Sequence, residues 1–192
     1  NWCLSFANKS KSVNDRVVRL TTLNSEANIS ELSSAELWWS ELGVNPDGPK
    51  VFFTGTFSTA FDFNQIYIAA KSINSCQFIL CGHGPCLDQV KELMRDLPNV
   101  IFPGWIDRFQ MESLANMSLA TLAPYKNVKN FTLNIPNKIV DSLLLGLPIL
   151  SPLTGEVESL ISNRKVGFTY NNNNPLASCI QSLVDDDKLQ NL

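Results

Sequence analysis

The chain of 192 residues has one histidine, no Cys-x-x-Cys pair and only 17% charged residues, and each shortage removes a class of function. A lone imidazole among scattered carboxylates is a poor zinc ligand set, so no structural metal is expected. The five cysteines, Cys3, Cys76, Cys81, Cys86 and Cys179, are odd in number and two lie in apolar runs, so they read as reduced core thiols. Fifteen basic against eighteen acidic residues give a formal charge of −3 and a pI near 5.1. That balance disfavours a nonspecific grip on nucleic acid or anionic lipid and leaves any phosphate binding to a local site. No apolar run approaches the ~18 to 20 residues of a membrane span, and the start, Asn1-Trp2-Cys3-Leu4-Ser5, lacks the basic n-region of a signal peptide. The expectation is a cytoplasmic protein with no direct membrane insertion. The sequons at Asn8, Asn28, Asn116 and Asn130 are accordingly read as chance occurrences.

What is present is a 44% hydrophobic composition, enough for one domain with a substantial core. Residues 1–15 are polar and read as an irregular linker, and residues 16–192 as a single domain that opens on a strand at Arg16–Leu20. A helix over Ser33–Leu42 is predicted from a capping box at Ser33 and Glu36, an apolar stripe of Ala35, Trp38, Trp39 and Leu42, and a stop at Gly43. The tryptophans read as core. Strands are then predicted at Val51–Thr54, Gln77–Cys81, Val100–Phe102, Leu119–Ala123, Pro148–Leu150 and Val166–Tyr170. Between them lie helices over Asp62–Ile73, from Pro85 to about Leu97, from an Asp107/Gln110 cap, over Asn137–Leu145 and over Glu156–Ile161, with Pro175 opening the last. Continuous apolar strands separated by amphipathic helices imply a Rossmann-like, doubly wound α/β fold, a parallel sheet with helices on both faces. Ligands in such folds sit beyond the carboxyl ends of the strands, which directs attention to the loops after Thr54, Cys81, Phe102, Ala123 and Leu150.

Gly82-His83-Gly84-Pro85 is one such loop, where glycines let backbone approach a ligand and free helix N–H groups attract phosphate. The dinucleotide fingerprint needs a third glycine where Leu87 stands, and there is no Gly-x4-Gly-Lys-Ser/Thr phosphate loop, so nicotinamide and P-loop readings lose ground. His83 is a candidate ligand contact, with no carboxylate near it in sequence to orient it as a base. At the start of the Asn137 helix, Lys138 and Asp141 fall on one face. An ammonium suits a diphosphate and a carboxylate suits ribose hydroxyls, although a surface ion pair accounts for the same spacing.

Taken in order, several segments resemble the C-terminal, donor-binding domain of GT-B glycosyltransferases, the family 4 type in particular. They are Phe53-Thr54-Gly55-Thr56, Ile79 through Pro85, Asn99 through Ile106, Leu122-Ala123-Pro124-Tyr125, Pro136 through Asp141, and Gly146 through Leu150. The resemblance spans about Val51 to Asp185 and implies one half of a GT-B fold that binds a nucleotide-sugar donor as substrate, without a metal or other cofactor. It implies donor contacts from Gly55, Thr56, Gly82, His83 and Gly84, and from the backbone near Ile106 for the base. Asn137 and Lys138 fall to the diphosphate, Asp141 to the ribose, and the loop amides at Gly155 and Glu156 to donor or sugar. Asp141 stands at the second carboxylate of the family's E-x7-E motif, while Leu133 replaces the first. Thr56, Ser58 and Ala60 or Phe61 occupy the stretch where many members carry an arginine and a lysine, and Ser159 stands where a glutamate is usual. No catalytic residue is assigned. The resemblance further implies a sugar transferred from a UDP- or GDP-sugar to a glycan or lipid-linked acceptor, a preceding acceptor domain missing from this chain, and inactivity of the chain alone. Two other readings stay open: a GT-B nucleotide-sugar epimerase, and a noncatalytic α/β nucleotide-binding module.

Overall fold

The computed structural model describes residues 29–190, so the Arg16–Leu20 strand and the 1–15 linker lie outside the described residues. Within them, α1 (Ile29–Glu41), β1 (Lys50–Thr54), α2 (Asn64–Ser72), β2 (Gln77–Cys81), α3 (Leu87–Leu93), β3 (Val100–Gly104) and α4 (Arg108–Asn116) come first. They are followed by β4 (Ala120–Leu122), α5 (Lys129–Thr132), α6 (Asn137–Leu144), β5 (Ile149–Ser151), α7 (Glu156–Arg164), β6 (Gly167–Thr169) and α8 (Leu176–Gln190). All six strands are parallel and run β3-β2-β1-β4-β5-β6 across the sheet. This is the doubly wound fold the apolar runs imply.

The runs are continuous because successive side chains alternate between two covered faces. Val51, Phe53, Phe78 and Leu80 join Ile66 and Ala70 of α2, Val90 of α3 and Ile180 of α8 in one core. On the opposite face Phe52, Ile79 and Cys81 meet Trp39 of α1 and Leu114 of α4. Farther along that face Ile149 and Ala123 meet Ile139 of α6 and Val157 of α7. Trp39 is buried, and its indole Nε1 donates to the Gln110 carbonyl at 2.9 Å, so it is core as expected. Cys76, Cys81 and Cys179 are buried free thiols, and Cys86 is a half-buried one.

Several boundaries move, each for a local reason. The helix expected from Ser33 begins at Ile29: no glycine or proline separates Ile29 from Ser33, so propagation upstream outweighs the apparent capping box. Leu42 falls past its end and is exposed. The helix expected from Asp62 starts at Asn64, because the Asp62 carboxylate accepts the Asn64 backbone N–H in a turn ahead of it. The one expected to reach Leu97 stops at Leu93, ahead of Pro98, which disfavours helical geometry at Leu97. The Asp107/Gln110 capping box is present with both reciprocal bonds, at 2.9 and 2.8 Å. Short α5 has no counterpart in the sequence reading.

Polar groups at the amino end of the sheet bind the fold together. Lys50 is fully buried, yet its ammonium donates to the carbonyls of Pro46, Gly48 and Met117 at 3.1, 2.6 and 2.9 Å. The Asn99 amide likewise bonds the carbonyls of Ala70, Ile73 and Cys76, fixing the end of α2 to β2. The carboxyl end is built differently.

Candidate functional site

The strand order reverses direction between β1 and β4, and in this fold the crevice at that point, outside the carboxyl ends, is where ligands bind. The loops that meet there are held at backbone-to-backbone distance. Gly55 N–H donates to the Cys81 carbonyl at 3.0 Å, Phe57 N–H to His83 at 2.8 Å and Gly82 N–H to Gly104 at 2.7 Å. Gly82 has φ +127°, and a Cβ there would overlap the Gly55 carbonyl, so only glycine lets the loops after β1 and β2 touch. A Cβ at Gly84 would collide with the Phe57 backbone in the same way.

Helix α6 enters this crevice amino end first. Pro136 stands at its cap position with no side-chain bond to the first turn, so the positive end of the helix carries no capping side chain. Lys138 in that turn sends its Nζ to the Thr54 carbonyl at the end of β1. The ammonium also lies 4.7 Å from the centroid of the Phe53 ring and 5.5 Å from that of Phe61, a cation–π arrangement. Burial lowers its pKa from 10.5 to about 8, opposed by the charge of Asp141. Asp141 itself is exposed, and among the described residues no ion pair within 4 Å joins it to Lys138. The surface ion pair that the spacing allowed is therefore not formed: Lys138 turns inward to a backbone carbonyl and two rings. Asp141 still bears on a second neighbour, since it adds to the burial that raises the Tyr125 hydroxyl to about 12.

The structure thus brings Gly55, Gly82, Gly84 and Lys138 together, with Thr56 exposed beside them and Asn137 and Asp141 exposed on the same helix as the lysine. His83 is exposed on the second loop, and a Cβ placed on Gly104 would stand 3.6 Å from its Nε2. Ile106 buries its side chain against the Trp39 cluster. Trp105 beside it is 72% exposed. Gly155, with φ +74°, and Glu156 open α7 in a different contact set. A Cβ on Gly155 would overlap the Thr132 carbonyl, and Thr154 donates through N–H and hydroxyl to the Asn127 side chain at 3.1 Å each.

Sequence reasoning missed the aromatic row that joins the two sets. Phe53, Phe61, Tyr125 and Phe131 follow one another at centroid separations of 5.2, 4.6 and 4.9 Å. A bridge between Phe61 and Tyr125, with Lys126 N–H donating to Ala60 at 2.9 Å, closes the loop after β1 onto the loop after β4. The available signal was the density of phenylalanine at positions 52, 53, 57, 61 and 63. Among the described residues no group of three or more metal-ligating side chains stands close enough to hold an ion, and no helix is long and apolar enough to cross a membrane.

The architecture has many solved counterparts. The Anabaena protein HepE in complex with UDP and glucose superposes with a TM-score of 0.64 at 18% identity, covering 84% of this chain and 44% of that one. Sucrose-phosphate synthase from Thermosynechococcus elongatus gives 0.62 at 17% identity, over 81% of this chain and 40% of the other. WaaG, a glycosyltransferase involved in lipopolysaccharide biosynthesis, gives 0.60 at 14% identity, over 82% and 43%. At these identities the likeness is one of fold, and the chain spans less than half the length of each. A comparison with curated protein sequences found no match. The profile of one family, described as Glycosyl transferases group 1, matches residues 48–186, from the turn before β1 into α8. With that match over most of its length and a GT-B half-fold beneath it, the chain belongs to the group 1 glycosyltransferases.

Proposed function

We propose that this chain is the donor-binding half of a glycosyltransferase that moves a sugar, with retention of configuration, from a UDP- or GDP-sugar to a glycan or lipid-linked acceptor. The observation that carries the reading is the meeting of an uncapped helix end and a half-buried ammonium with the glycine loops after β1 and β2. Backbone N–H groups, a helix dipole and a lysine together form a local anion site on a chain whose net charge is negative. The diphosphate occupies the crevice above Gly55 and Gly82, facing Asn137 and Lys138. The Asp141 carboxylate accepts hydrogen bonds from the ribose hydroxyls, and the backbone near Ile106 meets the base. The loop at Gly155 and Glu156 borders the sugar. UDP in the HepE complex supports a uridine donor.

As the bond from the anomeric carbon to the diphosphate breaks, its electron pair passes to the leaving phosphate oxygen and negative charge builds there, so the anion site stabilises the departing diphosphate, and positive groups suffice for this without a metal. The acceptor, and the groups that position it, belong to a second domain placed on the amino-terminal side, and the working location is the cytoplasm, at or near a membrane face. Calorimetry with UDP, GDP, ADP and CMP tests the donor assignment. Saturable binding of UDP or GDP, with ADP and CMP at least about tenfold weaker, supports it. Absence of binding by all four contradicts it.

A further inference from the structure

A second cavity lies on the carboxyl side of the sheet, of about 400 Å³, within the roughly 300 to 1,000 Å³ of small-molecule sites. It is walled by the entry to α2 and by the loops that follow β4, β5 and β6. Tyr170 lines it and is 1% exposed, and its hydroxyl has no hydrogen-bond partner among the described residues. Buried hydroxyls are rarely left so, because the loss of water is otherwise uncompensated. Asp62 lines the same cavity, with Oδ1 engaged by the Asn64 amides and no bond to its second oxygen among the described residues. Asn127 and Asn171 have their side-chain oxygens occupied by neighbouring N–H groups, which leaves their NH₂ groups as donors. Tyr125 contributes a half-buried ring at the border with the donor crevice.

These parts define a ligand. Asp62 and the exposed Lys126 cancel in charge, so a phosphate gains nothing here. Convergent amides, a carboxylate and a phenol suit vicinal hydroxyls, and an aromatic ring suits the C–H face of a sugar. We infer that this cavity is a saccharide subsite, separate from the donor crevice, that holds one neutral pyranose unit with the Tyr170 hydroxyl and the Asp62 carboxylate on adjacent ring hydroxyls. The inference rests on the cavity's own chemistry and stands apart from the assignment of the diphosphate site.

The test is a titration of the full chain with methyl α-D-glucopyranoside and with maltose, followed by backbone amide NMR with and without saturating UDP. Saturable shifts at Lys126, Asn127 and Asn171 that persist with UDP are expected. Tyr170→Phe should weaken that binding about three- to tenfold, the scale of one hydrogen bond, while its melting temperature stays the same or rises because the lost hydroxyl had no partner. Asp62→Asn, which keeps the oxygen that accepts the Asn64 N–H but removes the carboxylate charge, supplies a second variant with the same direction of effect should Tyr170→Phe lose its fold. Shifts confined to Gly55, Gly82 and Lys138, or no shifts with either sugar, would overturn the inference. So would unchanged affinity in both variants. UDP binding is read in the same samples, so a failure of the donor reading is seen independently.

Discussion

Lys138 carries the most specific consequences at the scale of single residues. Its ammonium is bound to a backbone carbonyl and two rings, so a diphosphate competes for it with groups that bear no full charge. Lys138→Ala should therefore weaken UDP far more than uridine. Asp141→Ala should weaken both, by about 1.5 to 3 kcal/mol, the range for a hydrogen bond to a charged group. Equal losses of UDP and uridine in Lys138→Ala, read by calorimetry, would contradict the division of roles. The depressed pKa adds a pH dependence. Between pH 8 and 10.5 the unfolded chain holds the Lys138 proton that the folded chain has released, so this group's contribution to stability rises with pH across that window. Lys138→Met should flatten the rise, which urea unfolding at pH 8 and pH 9.5 reads directly; parallel slopes in the two proteins would show that the lysine is not desolvated. A bound diphosphate restores the proton, so UDP binding near pH 8.5 should take up protons in the native protein and not in Lys138→Met.

The elements hold the crevice in shape by closeness of backbone. Gly82→Ala forces a side chain into the Gly55 carbonyl at a φ of +127°. It should cost about 1 to 3 kcal/mol of stability and weaken UDP binding together, because the same contact sets the spacing of the two loops. A stable variant with native affinity, by thermal melting and calorimetry, would mean that the loops need no such contact. This also marks what a sequence discloses. Gln77–Cys81 was legible to the residue because the apolar run Phe78 to Cys81 is followed by glycine, and the Asp107/Gln110 box because its bonds are local. The start of α1 was not, since a capping motif at Ser33 and Glu36 sits inside a helix that nothing upstream interrupts. Of the candidate site, glycines at strand ends and a lysine at a helix start were readable from pattern. The inward turn of that lysine onto Thr54, 84 residues away, was not, nor was the Phe61–Tyr125 bridge, because neither has a local signal. Lys50 shows the converse case. Its sequence context is a strand start, and only the fold brings three carbonyls to its ammonium.

On the scale of the whole molecule, the two ends of the sheet differ in what their polar groups do. At the amino end, Lys50 and Asn99 bind loops and helices to strands. At the carboxyl end, helix α6 lacks a capping side chain and the glycine loops after β1 and β2 meet backbone to backbone. Transfer also requires an acceptor positioned near the anomeric carbon and shielded from water, and positioning alone accounts for roughly 7 to 11 kcal/mol of a barrier. The chain by itself should therefore bind donor yet transfer no labelled sugar to glycan or lipid-linked acceptors, and transfer at the rate of a two-domain enzyme would refute the proposed division of labour. The central claim, that a nucleoside diphosphate binds across the carboxyl ends of β1 and β4, is tested most directly by titrating UDP into the labelled chain and following backbone amides by NMR. The account predicts saturable shifts at Gly55, Gly82, Lys138 and Gly155, with Gly48, Lys50 and Met117 unmoved. Shifts confined to Gly48, Lys50 and Met117, at the opposite end of the sheet, would contradict it.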